Sequence, residues 1–155
     1  MNLFYLDEDL DKCAEYHVDK HIVKMPLEAA QILTTTIWVD RHLGFIPRAL
    51  NKSERDYINV IKKDIAHLPQ EARPLSPYLP MMYNHPCTIW ARSSLDNHEW
   101  THCYANALGE EYRYRYGKEH KSVIVINNLP EPTKLPRLGF TCLLYTSPSP
   151  RDRTT

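Results

Sequence analysis

The chain has 155 residues, with 19 basic and 19 acidic side chains, eight histidines and four cysteines. Balanced charge excludes a global basic field, so any contact with nucleic acid has to come from a local patch. Scattered cysteines with no Cys-x-x-Cys pair exclude a disulfide framework or a zinc ribbon, and no apolar run approaches the ~20 residues of a membrane span.

Met1-Asn2-Leu3 leads straight towards acidic residues with no basic n-region, so no secretory signal is expected and the setting is read as reducing and cytoplasmic. Leu3-Phe4-Tyr5-Leu6 forms a short extended or strand-like start. Asp7-Glu8-Asp9 then suits a helix N-terminus, where carboxylates cap free N–H groups and oppose the macrodipole. A helical pattern follows from Leu10 to Thr35, with Pro26 predicted to kink it or split it near Met25. Residues 36–52 read as a loop with a short apolar piece at Ile37–Val39. Ser53-Glu54-Arg55-Asp56 opens a second helix to about His67, with Tyr57, Val60, Ile61 and Ile65 as its buried face.

Pro69, Pro74, Pro77 and Pro80 mark a connection, and a short helix with Ile89 and Trp90 follows Asn84-His85-Pro86. The cleanest helix starts at Ser93 or Asp96 and stops at Gly117, a natural C′ residue, with an apolar stripe of Trp100, Cys103, Tyr104, Ala107, Leu108 and Tyr114. Residues 118–127 form a last helix or a strand. The predicted class is mainly α, a single domain of about five helices after a short extended N-terminal segment, over residues 1–141.

Residues 142–152, Cys-Leu-Leu-Tyr-Thr-Ser-Pro-Ser-Pro-Arg-Asp, match the translation of a transposase mosaic-end sequencing adaptor codon for codon. The stretch 142–155 is therefore read as adaptor read-through and excluded from fold reasoning, with the native chain expected to continue past Thr141. The remaining body carries 17 basic and 18 acidic residues and three cysteines, Cys13, Cys87 and Cys103.

Two features carry chemistry. At about 100° per residue, His17, His21, Lys24, Glu28 and Gln31 fall within about 40° of one line, with Lys20 at its edge. Apolar residues flank this polar ridge on both sides, as on a helix that lines a cleft. Imidazoles, amines and a carboxylate together suit acid–base or amine-nucleophile chemistry. Two other readings stay open: a solvated face with Lys24 and Glu28 as an i,i+4 pair, or a metal held by His17 and His21 as in a hydrolase. His98 and His102 repeat the His-x-x-x-His spacing and are expected to be exposed. Glu111, with Arg115 one turn on, reads as a buried ion pair or a tuned acid.

The second feature is Tyr112-Arg113-Tyr114-Arg115-Tyr116-Gly117-Lys118-Glu119-His120-Lys121, where cations suit phosphates and tyrosines offer stacking faces. Arg92 and His85 extend that surface. Its structural alternative is inward tyrosines with cations drawn to a helix C-terminus by the dipole. No cofactor is expected.

Asp19-Lys20-His21-Ile22-Val23-Lys24-Met25 with Glu28 and Gln31, His85-Pro86-Cys87, Trp90-Ala91-Arg92, Glu111-Tyr112 and Arg115 through Lys121 resemble a family of short marine bacteriophage and bacterial proteins. More loosely, the order of elements is similar to pyrimidine-dimer DNA glycosylases of the endonuclease V type. That resemblance implies a DNA partner in a bacterial or phage-infected cell, and attack of an amine on a sugar carbon, assisted by a carboxylate and followed by a lyase step. Those enzymes use the amine freed by removing Met1. Here residue 2 is Asn, so the nucleophile is expected to be Met1's own amine or a lysine such as Lys20 or Lys24, with Glu28 as carboxylate and His21 nearby. Arg92, Arg115, Lys118, Lys121, His85 and His120 are the expected nucleic-acid contacts. A non-catalytic phage accessory protein is the third reading.

Overall fold

The computed structural model describes residues 2–141; Met1 and the adaptor-like stretch 142–155 lie outside them. The described residues form six α-helices and no strand: α1 Leu10–Glu15, α2 Asp19–His42, α3 Lys52–Ala66, α4 Pro86–Ala91, α5 Leu95–Tyr116 and α6 Lys121–Asn127. A single 3₁₀ turn, Gln70–Ala72, interrupts the proline-rich connection. The mainly helical expectation therefore holds. None of these helices is long and apolar enough to cross a membrane.

The helix termini follow local chemistry. Asp9 caps α1 by accepting from the amides of Asp11 and Lys12. Asn51 and Glu54 form a reciprocal capping box at the start of α3, Ser94 caps α5, and Gly117 closes α5 in the left-handed region at φ 71°. Histidine does the same work twice. His85 Nδ1 accepts from the Cys87 amide to start α4, and His120 Nδ1 accepts from the Ser122 amide to start α6.

The single helix expected over Leu10–Thr35 is two helices, and the break falls at 16–18 instead of at Pro26. The His17 ring turns back and donates from Nδ1 to the Cys13 carbonyl at 2.7 Å, so the side chain satisfies an acceptor that a continuing helix would use. Pro26 removes one backbone donor but leaves α2 unbroken and is itself buried. Residues 36–42 continue α2 instead of forming a loop. Thr35 and Thr36 place their hydroxyls on the Gln31 and Ile32 carbonyls, and Thr35 Oγ1 also accepts from the Met81 amide, at 3.0 Å. These threonines are spent on the helix and on its neighbour.

α2 is the axis of the fold. Its first half packs Ile22, Met25, Ala29 and Leu33 with Leu3, Trp90, Tyr104 and Leu108. Its last turns, through Trp38 and Val39, meet Ile46, Leu50, Ile58 and Tyr83 in a second cluster. Ile58 is the fully buried anchor of α3, with Ile61 and Ile65 at the edge, whereas Tyr57 and Val60 are exposed, contrary to the expected face. On α5, Tyr104, Ala107 and Leu108 are buried as expected, but Cys103 and Tyr114 are exposed. The 135–141 segment runs back over α5. Leu95 donates to the Pro136 carbonyl, and Thr141 is held by Asn97 and by the Trp90 indole.

Candidate functional site

The polar ridge of α2 is only partly a solvated face. Glu28 is buried, at 8% exposure, and its Oε1 accepts the Asn2 amide at 2.8 Å. Leu3, fully buried in the core, holds the extended start of the chain in that position. Lys24, one turn before Glu28, remains exposed with Nζ 3.8 Å from Glu28 Oε2. The site is thus a carboxylate under a rim of amine, closed on one side by the chain's first residues.

His85 belongs to the same region. Burial lowers its pKa first, the positive charge at the amino terminus adds to that, and Glu28 opposes both. With Nδ1 accepting the Cys87 amide, the neutral ring carries its proton on Nε2. The turn that presents His85 is clamped: the Leu50 amide donates to Asn84 Oδ1 at 2.6 Å, and Asn84 Nδ2 donates back to the Leu50 carbonyl. His21 is half-buried, with its ring stacked on Phe4 at 4.7 Å.

His17 has a structural role. Nδ1 donates to the Cys13 carbonyl, so Nε2 is the lone pair that accepts the Tyr104 hydroxyl at 2.9 Å. Burial lowers its pKa and raises that of Tyr104, which keeps both neutral. Neither nitrogen is free for a metal, and no group of three or more metal-type side chains gathers among the described residues. The alternative reading of an ion shared by His17 and His21 therefore has no built site among the described residues. Lys20 is exposed at the edge of the ridge.

The expected nucleic-acid residues divide. Arg92 is buried, and its guanidinium donates to the carbonyls of Ile46, Tyr83 and Arg48. Burial pulls its pKa down to about 10, so it stays charged at neutral pH without facing solvent. Arg115 is committed to Glu111 at 2.8 Å, to Asp19 at 2.9 Å and to the Glu15 carbonyl, which makes Glu111 half of a structural ion pair. His120 caps α6 with one nitrogen and donates with the other to the Val23 carbonyl at 2.7 Å. Lys118 and Lys121 are exposed on either side of His120. That bond places the 118–121 stretch beside the second turn of α2.

Three participants had no clear local signal. Asn2 reaches Glu28 across 26 residues, and Phe4 and Tyr104 looked like core alone. Comparison with protein-family models, with curated proteins and with solved structures finds no match for this chain.

Proposed function

We propose that this protein acts on DNA as a glycosylase and abasic-site lyase, with Glu28 as the assisting carboxylate and an amine at the same site as nucleophile. The observation that supports this reading is the Asn2 amide on the buried Glu28 carboxylate. The candidate amines are that of Met1, one residue before Asn2 in the sequence, and Lys24 Nζ, 3.8 Å from Glu28 Oε2. The amine adds to the sugar C1′ as the base leaves. The ring then opens to the iminium as O4′ takes up a proton, and the Glu28 carboxylate removes the C2′ proton as the C3′–O bond breaks and the 3′ phosphate leaves. Glu28 stabilises the cationic sugar and accepts the proton that the attacking amine sheds.

Borohydride reduction of the protein with a duplex containing one abasic site traps such an iminium. The expected adduct maps by mass spectrometry to residue 1; mapping to Lys24 moves the nucleophile to that side chain. Glu28→Gln is expected to slow trapping by about 10²–10⁴-fold with little loss of DNA binding. No adduct from a folded protein sinks the reading.

A further inference from the structure

The extended segment that places Asn2 on Glu28 has its amides held by side chains of other elements. The Asn2 amide donates to Glu28, the Phe4 amide to the Tyr104 hydroxyl at 3.3 Å, and the Leu6 amide to Cys13 Sγ at 3.4 Å. Between them the Tyr5 ring stacks on Trp100, with centroids 5.7 Å apart, and on Phe140, at 6.2 Å. Phe140 also meets the Trp90 and Trp100 rings. The 135–141 segment therefore covers Tyr5, three residues along the chain from the contact with Glu28.

That covering segment is fastened in two ways. On the outside, Arg137 forks onto both oxygens of Glu99 at 2.8 Å and reaches Asp96 Oδ1, while Asp96 Oδ2 accepts the Gly139 amide at 2.9 Å. Further in, the fully buried Asn97 accepts the Thr141 amide and donates to the Thr141 hydroxyl, and the Trp90 indole donates to the Thr141 carbonyl. Gly139 turns the chain between these anchors at φ 93°, a conformation that glycine adopts without strain.

We infer that residues 135–141 form a latch on the N-terminal segment, with Phe140 as a positioning residue for the Asn2–Glu28 contact. Only the catalytic consequence of the latch rests on the glycosylase reading; the coupling of the two segments does not. An extended segment whose amides are bonded singly to side chains lacks the cooperative ladder of a helix, so it opens locally unless its rings are clamped. Of the two rings on Tyr5, Trp100 belongs to the long helix α5, whereas Phe140 belongs to a segment held by Trp90, Asp96, Asn97 and Glu99. Unfastening that segment removes one face of the clamp on Tyr5 and leaves the other in place. The Arg137 network is exposed and is screened by salt; the aromatic contacts are not.

Amide hydrogen exchange at Phe4 and Leu6 tests the coupling, with the amides of α2 and α5 as internal reference. Phe140→Ala, at a position 44% exposed, is expected to speed exchange at Phe4 and Leu6 by about tenfold, together with Gly139 and Thr141, and to leave α2 and α5 unchanged. Phe140→Tyr keeps the ring and should restore wild-type rates. Arg137→Ala removes the ionic fastening and leaves the ring in place; it should speed both segments by a smaller factor, which high salt reproduces in the wild type. If these variants speed exchange at Gly139 and Thr141 but leave Phe4 and Leu6 at wild-type rates, the segment only covers α5 and the inference falls. Borohydride trapping separates the latch from the glycosylase reading. With both correct, trapping at residue 1 slows in Phe140→Ala and recovers in Phe140→Tyr. Coupled exchange with no adduct from any variant keeps the latch and sinks the lyase, and an adduct without coupled exchange does the reverse.

Discussion

Arg92 shows how far a side chain's role can depart from its type. It follows a short aromatic helix and carries a cation, so from sequence it joins a phosphate-binding surface. In the fold its guanidinium organises three carbonyls from two separate loops, at Ile46, Arg48 and Tyr83. Tyr83 immediately precedes Asn84, whose amide clamps Leu50, and Asn84 precedes His85 at the site. Replacing Arg92 with Met keeps the bulk but strands three carbonyls, at about 1–3 kcal/mol for each that finds no water. The Arg92→Met variant is expected to lose on the order of 3–5 kcal/mol in urea unfolding. Lys, with one ammonium and no planar fork, should recover only part of that. A loss below 1 kcal/mol for Met would show that the carbonyls do not depend on the guanidinium. No local pattern identifies such a residue, because its three acceptors come from positions 9 to 46 residues away.

At the scale of elements, what the sequence made legible is what is decided within four residues. Asp9 and Gly117 mark helix ends because caps act on their own first or last turn, while the N-caps expected near Ser53 and at Ser93 or Asp96 are Asn51 and Ser94. The proline-rich connection is legible for the same reason. The run from Thr36 to Val39 was not, since β-branched residues weaken helix propensity and only burial against Leu50, Ile58 and Tyr83 overrides it. The cleft half of the α2 ridge was legible as polar residues at helical spacing. Its meeting with Asn2 and His85 was not, because that depends on how three elements dock. α6 offers a test of docking. Gly109 on α5 lets Val123 approach so closely that an added Cβ would lie 2.9 Å from Val123 Cγ2. Ala is worth about 1 kcal/mol over Gly inside a helix, while forced overpacking costs about 1–3 kcal/mol. Gly109→Ala is therefore expected to be neutral to about 2 kcal/mol destabilising. Adding Val123→Ala should relieve the clash, giving a coupling of about 1 kcal/mol in a double-mutant cycle. Strict additivity would mean that α6 shifts freely and that the position of His120 and its lysines is not fixed by packing.

Across the whole molecule, histidine is used as a neutral structural group, and that sets a pH dependence. Burial is the first cause that lowers the pKa of His17, His42, His85 and His98. His98, expected to be exposed, is buried on α5 and is lowered to about 4. Its Nδ1 has no partner among the described residues. The charges it faces are His102, which lowers its pKa further, and Asp40 and Glu99, which raise it too weakly to offset burial. Asp40 in turn holds the Thr133 and Lys134 amides, so a proton on His98 places charge where α2, α5 and the returning C-terminal segment meet. A folded pKa below the unfolded value near 6.5 means that the unfolded chain binds more protons between the two. Stability is therefore full above about pH 6.5 and falls as pH drops towards 4. One pKa unit is about 1.4 kcal/mol, so His98 alone removes on the order of 2 kcal/mol between pH 7 and pH 5. Carboxylates with lowered pKa, such as Asp96 and Glu99, act in the same direction but mainly below their ordinary range, near pH 4. Urea unfolding at pH 7, 6 and 5 separates the two groups. His98→Leu, which keeps the side chain buried and removes the titration, should flatten that part of the profile. A wild-type profile that is flat from pH 7 to 5 would mean that His98 is solvated when protonated, and that the packing of α5 on α2 opens there before the rest of the fold.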